Sequence, residues 1–146
     1  IIVAGKNNIS ISSKVFNNSH KERVIYATTN AFSPVRKAKL EKMGVEVLLV
    51  KHKRGQVNLS LLMEELGKRG IISVMVEGGA EISGSIFKEK LIDRVIYFIA
   101  PKIIGGRNSP TPVGGEGVDE LKDFIKIKNM SISKLGEDLV IEGNIH

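Results

Sequence analysis

The segment with the clearest chemical potential is Glu77-Gly78-Gly79, which follows an apolar run and precedes residues with helical spacing. Glycine lets a backbone come close to a ligand and adopt positive φ angles. The start of a helix offers unpaired N–H groups and a partial positive charge, which suit a pyrophosphate. A carboxylate beside such a turn could bind a sugar hydroxyl or a ring nitrogen. The segment is neither a full G-x-G-x-x-G nor a P-loop, so a ligand-free turn and a solvated glutamate stay open as alternatives.

A second candidate is the basic loop Lys53-Arg54-Gly55, which follows the apolar run Val45–Val50. Ligands of open α/β sheets lie at the carboxyl ends of the strands, so we expect this loop on the same side of the sheet as the glycine turn. Basic residues there could hold the 2′-phosphate of NADP. The alternative is a solvated charged loop.

Alternating segments must position these residues. Apolar and β-branched runs predict strands over residues 1–4, 23–28, 45–50, 71–76 and 94–100. Helices are predicted after the caps Ser33-Pro34 and Asn58, and from about Glu81 to Lys90. Strands separated by helices imply parallel pairing with right-handed crossovers. From Phe124 to Ile145, two strand-like runs around Gly136-Glu137-Asp138 predict an antiparallel hairpin.

Composition narrows the class of protein. The chain has 146 residues, which predicts one domain, and a net charge of +6. No cysteine is present, which excludes disulfides and thiolate metal sites and fits a cytoplasmic setting. The histidines His20, His52 and His146 lie too far apart in sequence for metal-ligand spacing, so no metal is expected.

The excess positive charge points to an anionic partner. Nucleic acid is disfavoured, because aromatic residues make up only 5% of the chain and none is interleaved with the basic clusters. A polyanionic small molecule is the better candidate. No apolar run approaches the roughly 20 residues of a membrane-spanning helix. Because Ile1 opens directly inside an apolar run, we expect an N-terminal segment of the domain to be missing.

Several motifs resemble the reductase domain of riboflavin biosynthesis. The most specific are VEGGA at 76–80, LIDRV at 91–95 and IAPKIIGG at 99–106, in that order. Further agreement is found in Ser13–Asn17, Ala27-Thr28-Thr29, Met43–Val47 and Arg54–Leu59. The resemblance covers essentially the whole chain. The family comprises the C-terminal half of the bacterial bifunctional deaminase-reductase and the stand-alone archaeal and fungal reductases.

The resemblance implies an α/β, dihydrofolate-reductase-like fold with a mainly parallel sheet flanked by helices and a C-terminal antiparallel hairpin. It also implies a homodimer that uses NADPH to reduce a ribosylaminopyrimidine 5′-phosphate, a small-molecule substrate, to the ribitylamino compound. Whether the preferred substrate is the diaminopyrimidinone or its deaminated form stays open. So do two other functions, namely a folate-type reductase of the same fold and a nucleotide-binding module without turnover.

Site residues are carried over from the family by position. Glu77 matches a substrate-contacting glutamate, and Gly55 matches a cofactor-contacting glycine. The family's dinucleotide-binding turn corresponds to Gly78, Gly79, Ala80, Glu81 and Ile82. Its cofactor-contacting loop "D-S-x-x-R" falls on residues 4–8, where Ala4 and Gly5 replace the acid and the serine, and Lys6, Asn7 and Asn8 complete the loop. The family's "S-L-D-G" strand has no counterpart here, so no catalytic residue is assigned.

Overall fold

A computed structural model describes residues 1–146 except 6–8, 18, 20, 21 and 119, and except the side chain of residue 121. The chain divides into two compact units, unit 1 from Ile1 to Ser73 and unit 2 from Val74 to His146. The chain length predicts a single domain, and each unit is described by itself. No helix within the described residues is long and apolar enough to cross a membrane.

Unit 1 is built on a parallel sheet. Its strands are β1 (Ile2–Val3), β2 (Val24–Thr29) and β3 (Val45–Val50), in the order β1-β2-β3. Helix α1 (Pro34–Lys42) connects β2 to β3, as the alternation of apolar runs predicted. Two short strands, β4 (His52–Lys53) and β5 (Gln56–Val57), form an antiparallel hairpin, and helix α2 (Leu59–Lys68) follows.

The predicted caps start both helices of unit 1. The Ser33 side chain accepts a hydrogen bond from the backbone N–H of Arg36, and Pro34 occupies the first helical position. The Asn58 side chain accepts one from the N–H of Leu61. These bonds satisfy N–H groups that have no partner inside a helix, which explains why the boundaries could be read from the sequence.

The core of unit 1 lies between the sheet and the elements that cover it. One cluster joins Ala4, Phe16, Tyr26, Leu40 and Val45, and the face of α2 is buried at Leu59, Leu62 and Leu66. Close packing of these buried side chains fixes the positions of the strands. The candidate site lies at the ends of those strands.

Unit 2 combines a helix with an antiparallel sheet. Helix α3 runs from Ala80 to Lys88, followed by β6 (Arg94–Ile99), β7 (Lys128–Leu135) and β8 (Asp138–Asn144). The sheet order is β6-β8-β7, and the β7–β8 pairing confirms the predicted C-terminal hairpin. Strand β6, expected to pair in parallel, instead pairs antiparallel with β8. A strand's sequence records burial and not the direction of its neighbour, which explains this error.

The predicted strand over residues 71–76 is also absent. No described strand is hydrogen-bonded to this segment. Ile72 is 99% exposed and Met75 is 79% exposed, so the run is not buried either. An apolar run states which environment its side chains favour, but a strand exists only where a neighbouring backbone supplies the hydrogen bonds.

Candidate cofactor-binding site

Unit 1 contains a pocket of about 320 Å³ at the carboxyl ends of its parallel strands. It is lined by residues that follow β1, end β2, precede α1 or belong to the β4–β5 hairpin: Gly5, Thr28, Thr29, Ala31, Phe32, Ser33, His52 and Gly55. Open α/β sheets bind their ligands at this edge. Gly5 and Gly55, which the sequence singled out, are therefore brought together in one lining.

The pocket lining combines an aromatic ring with polar side chains. The Phe32 ring lies 5.3 Å from the ring of Tyr26 and carries the guanidinium of Arg36 at 6.0 Å from its centroid. The Ser33 hydroxyl oxygen accepts a hydrogen bond from the backbone N–H of Arg36 at 3.5 Å, which leaves the hydroxyl proton free to donate. Among the lining residues that the structure describes, His52 alone has an ionisable side chain. This mixture of surfaces is typical of sites for small molecules that carry both a ring and a charged group.

The basic loop is a tight hairpin turn. His52 pairs with Val57 and Lys53 with Gln56, which leaves Arg54 and Gly55 as the two central residues. Both have positive φ, 53° and 79°, as a type I′ turn requires. Of the cations in this loop, His52 lines the pocket, whereas Lys53 and Arg54 are exposed and outside the lining.

In unit 2, the glycine turn leads directly into α3. Gly79 is the N-cap, with φ −70° and ψ 172°, and no side chain caps this helix. The positive φ that glycine would allow is not used at Gly79, because the turn there is made with extended backbone that any residue can adopt. A Cβ placed on Gly79 would meet no atom within 4 Å. The space beside the helix start is thus open, and the glycine there is not required by packing.

The packing requirement lies one residue earlier, at Gly78. A Cβ on Gly78 would lie 1.9 Å from Cγ2 of Ile82, in the first turn of α3. Ile82 is half-buried, and Glu77 before the turn is exposed. The absence of a side chain at Gly78 lets the entering chain lie against the first turn of the helix, and Glu77 is left facing solvent.

The predicted site residues and the pocket residues differ in two ways. Lys6, Asn7 and Asn8 fall outside the described residues. No site role was predicted for the pocket residues Thr28, Thr29, Phe32 and Ser33. The signal was available, because Thr28 and Thr29 end a predicted parallel strand, and strand ends at that edge are where ligands bind.

Comparison with solved structures defines the class of fold. The chain superimposes on RibD of Acinetobacter baumannii (form 2) with a TM-score of 0.76 at 19% identity, covering 97% of this chain and 36% of that one. It superimposes on the riboflavin biosynthesis reductase Rib7 of Saccharomyces cerevisiae with a TM-score of 0.74 at 22% identity, covering 99% and 64%. The fold is therefore the dihydrofolate-reductase-like α/β fold of these proteins, as predicted.

Sequence comparison places the chain in a family. The RibD C-terminal domain family matches residues 1–141, and the chain belongs to it. A 2,5-diamino-6-ribosylamino-4(3H)-pyrimidinone 5′-phosphate reductase of Aquifex aeolicus is 34% identical over 145 residues, 99% of this chain and 63% of that protein. The enzyme of the same name from Methanothermobacter thermautotrophicus is 39% identical over 118 residues, 81% and 53% of the two chains. The chain thus spans less than two thirds of the length of each of these relatives.

Proposed function

We propose that the protein reduces a ribosylaminopyrimidine 5′-phosphate to its ribitylamino product in riboflavin biosynthesis, with NADPH as the reductant. The observation that carries this proposal is the match to the Aquifex aeolicus reductase, which extends over 99% of the chain and through both units. When bound, NADPH would supply the hydride that reduces ribose C1′ of the substrate.

The chain's own part in this reaction is binding and orientation. The open space beside Gly79 and the uncapped start of α3 fit a phosphate-bearing group, because a helix start with free N–H groups attracts anions. We propose that residues 78–82 contact the cofactor there. We propose that Glu77, exposed beside this turn, binds a polar edge of the substrate.

In unit 1, we propose that Gly5 and Gly55 contact the cofactor within the pocket. Ser33 and His52 in the lining fit the 2′-phosphate that distinguishes NADPH from NADH, because the Ser33 hydroxyl and an imidazole N–H of His52 can donate hydrogen bonds to it. Lys53 and Arg54 lie outside the lining, so we assign them a longer-range attraction for the same phosphate.

The family match runs without interruption from residue 1 to residue 141, across the boundary between the units. We therefore propose that both units belong to one reductase domain. Homodimer formation, a cytoplasmic location and the absence of a nucleic acid partner remain predictions. Sedimentation of the full-length protein would test the first of these.

One assay on the full-length protein tests the proposed activity. The nicotinamide absorbance is followed with the ribosylaminopyrimidine phosphate, with its deaminated form and with dihydrofolate. We expect oxidation of NADPH with one of the pyrimidine phosphates, and the preferred one identifies the substrate. Turnover with dihydrofolate alone would indicate a folate-type reductase. Cofactor binding without any turnover would indicate a nucleotide-binding module.

A further inference from the structure

A glycine-rich segment lies along helix α3 and holds its first turn. The backbone N–H of Gly114 donates to the carbonyl oxygen of Ala80, the first residue of α3, at 2.8 Å. One turn further, a Cβ on Gly84 would lie 2.2 Å from the Gly114 carbonyl oxygen. The two backbones therefore touch at a point where Gly84 cannot carry a side chain, and a Cβ on Gly114 would lie only 3.0 Å from Ala80.

The contact continues to the end of the helix. The Nζ of Lys88, the last residue of α3, lies 2.8 Å from a carboxylate oxygen of Glu116. Ala80, Gly84 and Lys88 are spaced by four residues and so share one face of the helix. The segment Val113–Glu116, here named the glycine brace, thus follows this face from the first turn to the last.

The glycine brace stabilises the helix start that follows the glycine turn, because α3 begins without a side-chain cap. Helices α1 and α2 are secured at their starts by Ser33 and Asn58, whereas Gly79 offers no such bond. The first turn of α3 is instead held from the side, through the carbonyl of Ala80. The direction of the N–H groups at the start of α3 therefore depends on the brace.

We infer that the glycine brace positions the start of α3 for the dinucleotide, and that Gly84 and Gly114 are positioning residues for cofactor binding. This inference rests on the proposed function of the glycine turn. Any side chain at Gly84 pushes against backbone atoms of residue 114, which cannot rotate away, so the brace must leave the helix.

The test uses Gly84→Ala in the full-length protein, with Gly67→Ala as the matched control. Both are helical glycines, but a Cβ on Gly67 would meet nothing within 4 Å. We expect Gly84→Ala to raise the KM for NADPH roughly ten- to a hundredfold, because small misplacements of binding groups have effects of this size. At saturating NADPH, kcat should stay within about twofold of wild type. The control should leave both constants unchanged.

The KM–kcat split separates positioning from loss of folded protein. A smaller folded fraction would lower kcat and leave KM unchanged, and that result would overturn the inference while leaving the proposed function intact. A wild-type protein that binds no NADPH would overturn both.

Hydrogen exchange on the wild-type protein supplies a readout that does not depend on any variant folding. Coupling between two sites is reciprocal, so NADPH should slow exchange of the Gly114 amide if the brace and the cofactor turn are linked. Equal exchange at Gly114 with and without NADPH, in a protein that binds NADPH, would overturn the inference alone.

Discussion

At the scale of single residues, the two glycines of the glycine turn have different roles, one in packing and one in ligand access, which the sequence could not distinguish. Gly78 is required by packing against Ile82, whereas Gly79 faces open space with an ordinary φ. Gly79→Ala should lower the free energy of unfolding by no more than about 1 kcal/mol, because alanine is the poorer N-cap residue, and it should weaken NADPH binding because the new side chain obstructs the ligand's approach. Gly78→Ala should lower the stability as well. Thermal unfolding and NADPH titration of the two variants check this, and unchanged binding in Gly79→Ala would remove that residue from the site.

Glu77 is exposed in the structure, so its charge is not needed for folding. If Glu77 holds the substrate, Glu77→Gln should lower kcat/KM roughly ten- to a hundredfold, the value of a hydrogen bond to a charged group. Affinity for NADPH should stay close to wild type. Glu137→Gln, in the β7–β8 turn, serves as the control for removing an exposed carboxylate. Steady-state kinetics that show no loss for Glu77→Gln would return this residue to the role of a solvated side chain.

Arg54 adopts a φ of 53°, which is unfavourable for a residue with a Cβ. Asparagine tolerates this conformation better, so Arg54→Asn should raise the free energy of unfolding by about 0.5–1 kcal/mol. Lys90→Asn is the matched control, since Lys90 has a φ of 55° at the end of α3. We expect both to stabilise the protein and only Arg54→Asn to reduce the preference for NADPH over NADH. An unaltered preference would show that Arg54 does not contribute to it and that His52 and Ser33 are enough to select NADPH.

At the scale of elements, an acidic residue ties β2, β3 and α2 together. The carboxylate of Glu46 on β3 pairs with Arg23 before β2 at 3.1 Å and with Arg69 at the end of α2. Burial alone would raise the pKa of Glu46, but the hydrogen bonds and charges of the two arginines outweigh it and hold that pKa below 4.5. The unfolded chain therefore binds a proton at Glu46 more readily than the folded one.

This difference predicts a dependence of stability on pH. The contribution of Glu46 is complete above its ordinary pKa of 4.5 and is lost as the pH falls through the lowered value. At pH 7, Glu46→Gln should lower the free energy of unfolding by about 1 kcal/mol or less, since the carboxylate is partly exposed. Denaturant unfolding at several pH values should show this difference shrinking below pH 4.5. A difference that is the same at all pH values would contradict the assignment.

At the scale of the whole molecule, the net charge of +6 bears on cofactor binding. NADPH carries one phosphate more than NADH, so its attraction to a cationic protein is more strongly screened by salt. Between about 0.05 and 0.5 M salt, where the Debye length falls from roughly 14 to 4 Å, the dissociation constant of NADPH should rise more steeply than that of NADH. Titrations of the full-length protein with each cofactor check this. Parallel salt dependences would mean that the 2′-phosphate is bound away from the positive charge.

The sequence alone determined what depends on local chemistry. The caps at Ser33 and Asn58 and the C-terminal hairpin are confirmed, and the strands predicted at 23–28 and 45–50 are found at 24–29 and 45–50. Capping, runs of apolar and β-branched residues and turn residues act within a few positions of each other. The family could also be read directly, since its motifs are contiguous. These features need no knowledge of which distant segments meet.

Only the tertiary structure decided what depends on partners far apart in sequence. The antiparallel pairing of β6 with β8 and the lack of a strand at 71–76 follow from which backbone supplies the hydrogen bonds. One pocket likewise brings together Gly5, Ser33 and His52, and Gly84 contacts Gly114. The residues within each of these groups lie at least 19 positions apart in sequence. The type of a side chain limits the contacts that it can make, but the contacts that form depend on which distant segments the fold brings together.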